Sequence, residues 1–182
     1  MLETIYSLGY LGIILSVIGE VGFMFFPLPG DSLLFTVGFW ASTGKMNYVY
    51  AYCAVLFGSV VAGHVGYFLG KKLGRDTIIA HKYIPVGHSE LERAEKLFAK
   101  YGKWVIIFSR FIPMARSVIS QICGVLNYNK KKFLTYNLIS SLLWPLGVLT
   151  LGYYFGQMFP NMIHYVEIGL LLAVAIFIVP IT

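Results

Sequence analysis

Charge is scarce in this chain. Of its 182 residues 12% are Asp, Glu, Lys or Arg, while 58% are hydrophobic and the mean hydropathy is +0.74. Soluble domains carry about 25% charged residues, so composition sets the expectation of an all-α polytopic membrane protein rather than a water-soluble fold. Cysteine is scarcer still. Cys53 and Cys123 sit singly in apolar segments without metal-ligand spacing, so no metal centre or cofactor is expected and both read as small core or lipid-facing residues. His81, His88 and His164 have no ligand spacing either and read as interfacial. Positive charge is missing from Met1 to Leu8, and the apolar run that follows is too long for the h-region of a signal peptide. The formal net charge is +6, but the basic residues are clustered, so the sign reports membrane topology and nucleic acid is not an expected partner.

What is present is a series of apolar segments of membrane length. Ile5 to Trp40 is interrupted only by Glu20, Pro27, Pro29, Gly30 and Asp31. As one helix it would be about 54 Å long against a hydrocarbon core of roughly 30 Å, so it must bend. Pro27 and Pro29 lack backbone donors and Gly30 permits a tight turn, which puts the bend at PLPGD. Tyr48 to Leu69 has no formal charge and predicts one plain transmembrane helix, with Gly58, Ala62, Gly66 and Gly70 forming a flat stripe for close packing. From Lys71 to Lys103 the chain turns polar, with twice as many Lys and Arg as Asp and Glu, and the positive-inside rule makes it cytoplasmic. Within it SELERAEKLFAKYG predicts an amphipathic helix on the membrane surface. Ser89 and Glu92 match a capping box, Leu91, Ala94, Phe98 and Tyr101 share a face, and Gly102 suits the C-terminal end.

Trp104 to Val125 contains Arg110, Pro113 and Arg116 and is followed by Lys130, Lys131 and Lys132. Basic residues on both flanks predict a re-entrant hairpin that enters and leaves on the cytoplasmic side, bent near Ile112 and Pro113. Such backbone is tolerated at that depth only inside protein or beside water. Phe133 to Phe155, carrying Asn137 and Pro145, then crosses outward. Met162 to Ile181 crosses back to a C-terminus with no basic stop, where truncation of the chain is one alternative. Met1 is placed outside, and a single crossing by Ile5 to Gly19 stays open as the other arrangement of the N-terminus.

The two halves resemble each other. FPLPGDS (Phe26 to Ser32) pairs with FIPMARS (Phe111 to Ser117), and GYFLG (Gly66 to Gly70) with GYYFG (Gly152 to Gly156), at nearly constant spacing. Gly12 stands before Glu20 as Gly102 stands before Arg110. The first copy ends in Lys71 and Lys72, inside, and the second in Gln157, outside, which is the mark of an inverted-topology repeat. The reading is one membrane domain over 1–182: repeat 1 about 5–70, an amphipathic linker 71–100, repeat 2 about 101–156 and a C-terminal helix 162–181. Each half is a re-entrant helical hairpin plus a transmembrane helix, the architecture of secondary transporters.

Four charges then stand out. Glu20 and Asp31 on one hairpin are expected to face Arg110 and Arg116 on the other, because a lone charge costs roughly 2.5–3.5 kcal/mol at a helix centre. Two roles remain open for them. They are salt bridges that hold the hairpins together, or the arginines bind an anionic head group while a carboxylate titrates and couples protons to movement. His64 and Asn137 are accessory candidates. For His64, a ring bonded to a neighbouring carbonyl competes with a place in a proton relay. Trp40, Tyr48, Tyr50, Trp104, Tyr153 and Tyr154 near segment ends read as an interfacial belt. Lys130 to Lys132 read as a topological anchor that also attracts anionic lipid.

At these residues the chain resembles the DedA family of membrane proteins, which share a domain also called SNARE-associated or VTT. The resemblance runs from about Tyr10 to Gly156. It rests on Glu20 before FPLPGDS, on GHVGYFLG at Gly63 to Gly70, on YGKWVIIFSRFIPMAR at Tyr101 to Arg116, and on Asn137, Trp144 and GYYFG. It implies a bacterial cytoplasmic (inner) membrane protein with two re-entrant hairpins, dependent on the proton motive force and moving lipids, notably undecaprenyl phosphate. The family's two acidic and two basic functional positions fall on Glu20, Asp31, Arg110 and Arg116. Where the family shows a glycine-rich stretch after the second arginine, this chain has SVISQICGVLNYNKKKF with Gly124.

The leading expectation is therefore a non-hydrolytic transporter that moves a polyprenyl phosphate or phospholipid head group between leaflets, with protons and the bilayer as its other partners. A proton-coupled exporter of small cations or drugs, with Glu20 and Asp31 as its binding groups, is the alternative. An intramembrane phosphatase would need a nucleophile and base, and Ser32, Ser109 and Ser117 have no histidine near them in sequence. Oligomeric state is left open, a homo-oligomer included.

Overall fold

The computed structural model describes residues 2–22, 30–80, 88–112 and 115–178. Among them every regular element is a helix. In order these are α1 Leu2–Gly22, α2 Gly30–Ser42, α3 Tyr48–Ala80, α4 His88–Tyr101, α5 Lys103–Ser109, α6 Ala115–Val125, α7 Lys130–Met158, a 3-10 turn Pro160–Met162 and α8 Ile163–Ile178. Pro27, Pro29, Pro113 and His81 lie outside the described residues, as do the Ser89 and Leu91 side chains of the expected capping box and apolar face.

Local chemistry sets the helix ends. Asn47 caps α3, its Oδ1 accepting from the N–H groups of Val49 (2.9 Å) and Tyr50 (3.2 Å), and Asn129 does the same for α7 through Lys132 (3.1 Å). Gly102 stops α4 at φ 55°, its N–H bonded to the Phe98 carbonyl at 2.9 Å, as its place after the amphipathic run led one to expect. α3 runs past the expected end at Leu69 and breaks at Gly74, where φ 75° and ψ 176° suit only glycine.

Among the described residues two helices are long and apolar enough to cross a bilayer, over Tyr48–Gly74 and Lys130–Met158. By contrast α5 has 7 residues and α6 has 11. At 1.5 Å per residue they span about 10 and 16 Å, so neither crosses a core of roughly 30 Å. They pack against each other. Between them the helix stops at Ser109, with Phe111 and Ile112 bonded back to the Phe108 and Ser109 carbonyls (both 3.1 Å), and restarts at Ala115. The helix is thus interrupted at Ile112, where the bend was expected, while Pro113 lies outside the described residues.

The chain forms two compact units. Unit 1 comprises Met1–Val17, Pro27–Gly58 and Leu143–Thr182. In it α2 lies against the C-terminal half of α7 so closely that glycine is required. A Cβ on Gly38 would strike the Leu149 backbone, one on Gly152 the Phe35 carbonyl, and one on Gly156 the Ser42 hydroxyl. Leu34, Val37, Phe39, Trp144 and Leu149 are buried here. α8 packs on α2, where Glu167 accepts from Trp40 Nε1 and Lys45 Nζ, both at 3.0 Å. Trp40 thus has a specific partner besides its place near a segment end, as does Tyr48, whose hydroxyl meets Thr150 at 2.7 Å.

Unit 2 comprises Ile18–Phe26 and Ser59–Leu142. Here α6 lies against α3. A Cβ on Gly70 would strike the Gln121 backbone, and one on Gly124 the Tyr67 carbonyl. Tyr67, Ile106, Ile119, Cys123 and Phe133 form the core. The Tyr67 and Phe133 rings stack at 4.8 Å, and the Tyr67 hydroxyl donates to the Tyr128 carbonyl at 2.7 Å. The expected apolar face of α4 docks Ala94 and Phe98 beside Ile122. Cys53 is exposed and Cys123 buried, in keeping with one lipid-facing and one core cysteine.

Each motif helix therefore packs on the glycine-rich helix of the other half of the sequence. Gly38→Leu and Gly124→Leu are each expected to lower stability by about 1–3 kcal/mol through overpacking against backbone that cannot yield. Gly12→Ala, with nothing within 4 Å of the added methyl, is expected to leave the melting temperature in detergent unchanged or slightly raised.

Candidate functional site: a buried arginine cluster

In unit 2, elements far apart in sequence bring polar side chains into an apolar interior. Glu20 stands in the last turn of α1, Arg110 directly after α5, Arg116 in the first turn of α6, Ser59 on α3 and Asn137 on α7. The bend between α5 and α6 is what allows two arginines six residues apart in number to reach inward. Arg110 and Arg116 are 3% and 5% exposed, and Glu20 is 9% exposed.

Arg116 Nη2 donates to Glu20 Oε1 in a buried ion pair. Arg110 is held differently. Its Nη2 donates to the Ser59 carbonyl at 2.8 Å and to Asn137 Oδ1 at 2.7 Å, two neutral acceptors. Asn137 is itself fixed by its Nδ2 donating to the Val60 carbonyl at 3.3 Å. Its amide occupies the space a Cβ on Gly63 would fill, which is why that position is glycine. Arg110 and Arg116 are near enough for their charges to repel, and Arg110 Nη1 has no hydrogen-bond partner among the described residues.

Chemically the cluster is suited to holding an anion. Two guanidinium groups and one carboxylate leave the cluster with an excess of one positive charge, and a buried guanidinium with an open N–H suits bidentate recognition of phosphate. His64 Nδ1 lies 2.7 Å from the Val60 carbonyl one turn back, so the ring takes the carbonyl-bonded arrangement. The Ser109 hydroxyl donates to the Ile106 carbonyl at 3.0 Å, and the Ser117 side chain lies outside the described residues.

Glu20 and Arg116 come together, and Arg110 binds Asn137 and Ser59. Asp31 belongs to unit 1, in the first turn of α2, where it accepts from the buried Trp144 indole Nε1 at 3.0 Å. The role of Trp144 escaped sequence reasoning, although a tryptophan in a core needs an acceptor for its N–H. Ser59 was missed as well, since the stripe read for close packing took in its neighbour Gly58 and not the serine. Asp31→Ala, which removes this acceptor of the indole N–H, is expected to cost about 1–3 kcal/mol. Asp31→Asn keeps an acceptor and should cost less, and thermal melts of the two variants compare them directly.

Residues 28–154 match the family model of the VTT domain. The matched stretch takes in Asp31, Arg110, Arg116 and Asn137, with Glu20 just ahead of it. Among curated proteins, the chain is similar to an uncharacterized membrane protein of Mycobacterium tuberculosis (strain H37Rv), 33% identical over 156 residues, covering 80% of this chain and 65% of that protein. It is also similar to the protein DedA of Escherichia coli (strain K12), 32% identical over 140 residues, covering 75% and 64%. The inner membrane protein YqjA of the same strain is 33% identical over 132 residues, covering 71% and 59%. The chain thus spans less than two thirds of the length of each. No solved structure matches.

Proposed function

The chain belongs to the VTT-domain family of membrane proteins, DedA among them, and from that premise we propose that it carries a lipid phosphate between the leaflets of a bacterial cytoplasmic membrane, undecaprenyl phosphate being the leading candidate. The observation that carries this reading is Arg110: a guanidinium buried in apolar protein, bound to neutral acceptors, next to a second arginine and with one nitrogen that has no partner among the described residues. A purely structural charge would be expected opposite a carboxylate, as Arg116 is opposite Glu20. A head group needs a polar half-path while its hydrocarbon tail stays in lipid.

The two short helices α5 and α6, packed together and each too short to cross, support a re-entrant hairpin. The repeated motifs support its inverted counterpart built on α1 and α2. In this scheme Glu20 and Asp31 are the groups whose protonation couples the proton motive force to rearrangement. An exporter of cations would need Glu20 available to its substrate, and Arg116 already holds that carboxylate. The chemistry is non-hydrolytic in this proposal, in line with the engagement of the Ser109 hydroxyl by a backbone carbonyl.

Native mass spectrometry of the purified protein with undecaprenyl phosphate and with ordinary phospholipids tests the proposal. Selective binding of the polyprenyl phosphate, lost in folded Arg110→Ala and Arg116→Ala, is the expected result. Unselective binding, or binding unchanged in both variants, would return the charges to a structural or proton-coupling role.

A further inference from the structure

Hydroxyls inside helices have a default partner, the carbonyl one turn back. Thr36 donates to the Ser32 carbonyl (2.8 Å), Ser120 to that of Arg116 (3.3 Å) and Thr135 to that of Lys131 (3.1 Å) in this way. Ser59 and Ser141 do not. Both are 0% exposed, yet among the described residues their Oγ atoms have no hydrogen-bond partner. Among the described residues Arg110 Nη1 is the remaining buried side-chain nitrogen or oxygen in that condition.

These three groups are gathered, not scattered. Arg110 Nη2 is bonded to the carbonyl of Ser59 itself and to Asn137 Oδ1. Ser141 follows Asn137 by four residues on α7, so the two side chains share a face with their Cβ atoms about 5–6 Å apart. Ser140 Oγ donates to the Ile107 carbonyl at 2.9 Å, which ties that turn of α7 to α5, the helix that Arg110 directly follows. α3, α5 and α7 each contribute one unpartnered donor around the bond between Arg110 and Asn137. An unsatisfied donor in an apolar interior costs stability that either hydroxyl would recover with a default helix bond, and a single oxyanion is able to satisfy all three groups.

We infer that Arg110 Nη1, Ser59 Oγ and Ser141 Oγ form a seat for one tetrahedral phosphate oxyanion, one donor for each terminal oxygen of a phosphate monoester. The inference rests on the head-group reading and deepens it. Arg110, rather than the already paired Arg116, contacts the phosphate, and two neutral hydroxyls complete its shell. Three donors match the three terminal oxygens of a monoester such as a polyprenyl phosphate. A phosphodiester lipid offers two and leaves one donor empty.

The test measures affinity of the purified full chain in detergent for undecaprenyl phosphate, with phosphatidylglycerol as the diester and inorganic phosphate as a competitor. Ser59→Ala and Ser141→Ala are each expected to weaken undecaprenyl phosphate binding about tenfold, the loss of one hydrogen bond to a charged acceptor. Their melting temperatures without ligand are expected to equal or exceed that of the unmodified protein, because the hydroxyl has no protein partner to lose. Serine-dependent binding that inorganic phosphate displaces supports the seat with the free anion as a sufficient occupant. Serine-dependent binding that it does not displace supports the seat with a lipid-borne phosphate. Unchanged affinity in both serine variants, alongside loss in Arg110→Ala, overturns the seat and leaves the head-group reading standing. Melting temperatures that fall in step with affinity assign the hydroxyls to structure and overturn it as well. Absence of binding to the unmodified protein overturns both.

Discussion

Glu20→Ala is expected to destabilise the purified protein by about 3–5 kcal/mol, the loss typical of a buried ion pair deprived of one partner. Glu20 and Arg116 are both buried, and the carboxylate accepts directly from the guanidinium. Without it, Arg116 remains in an apolar interior with a second arginine nearby. Glu20→Gln keeps an acceptor and loses the charge, so its melting temperature should fall between the two. Joint replacement, Glu20→Met with Arg116→Met, removes both charges and is expected to restore most of the stability, because the attraction within a buried pair offsets its desolvation only in part. A Glu20→Ala variant that melts with the unmodified protein would mean that the pair adds nothing to the fold.

Arg110→Ala is expected to weaken undecaprenyl phosphate binding by about a hundredfold, the order of one hydrogen bond between oppositely charged groups. Its effect on stability should be milder than that of Glu20→Ala, since Arg110 loses only neutral partners, the Ser59 carbonyl and Asn137 Oδ1, and relieves its repulsion with Arg116. Arg110→Lys keeps the charge but not the planar fork, and should recover affinity only in part. Titration of binding together with thermal melts separates the two effects. A folded Arg110→Ala variant with unaltered affinity would place the head group elsewhere.

Much of the architecture was legible because a membrane makes charge and backbone expensive. Pro113 and the arginines beside it announced that Trp104 to Val125 could not be one plain helix, and α5 and α6 part there. Gly102 announced the end of α4, and the choice offered for His64 included the carbonyl bond it makes. Partner choice was less legible. The small-residue stripe marks Gly58 and Gly70 as places of close approach but does not say which helix approaches, since any apolar neighbour satisfies it. So the packing of α2 on α7 and of α6 on α3, across the halves of the sequence, went unforeseen. The same holds for charge: four ionisable residues predicted mutual pairing, while two neutral groups, Asn137 and the Trp144 indole, supply contacts that Coulombic reasoning does not consider. Polar residues inside apolar runs, taken with glycines one helix away, were the signal that would have found them.

The most direct measurement is leaflet exchange of undecaprenyl phosphate in proteoliposomes, comparing the unmodified protein with Arg110→Ala, under an imposed proton gradient and without one. Exchange faster than in protein-free vesicles, stimulated by the gradient and abolished in Arg110→Ala, is the result expected if the buried arginine cluster carries a lipid phosphate across. Exchange no faster than in empty vesicles, or equally fast in the variant, would contradict it.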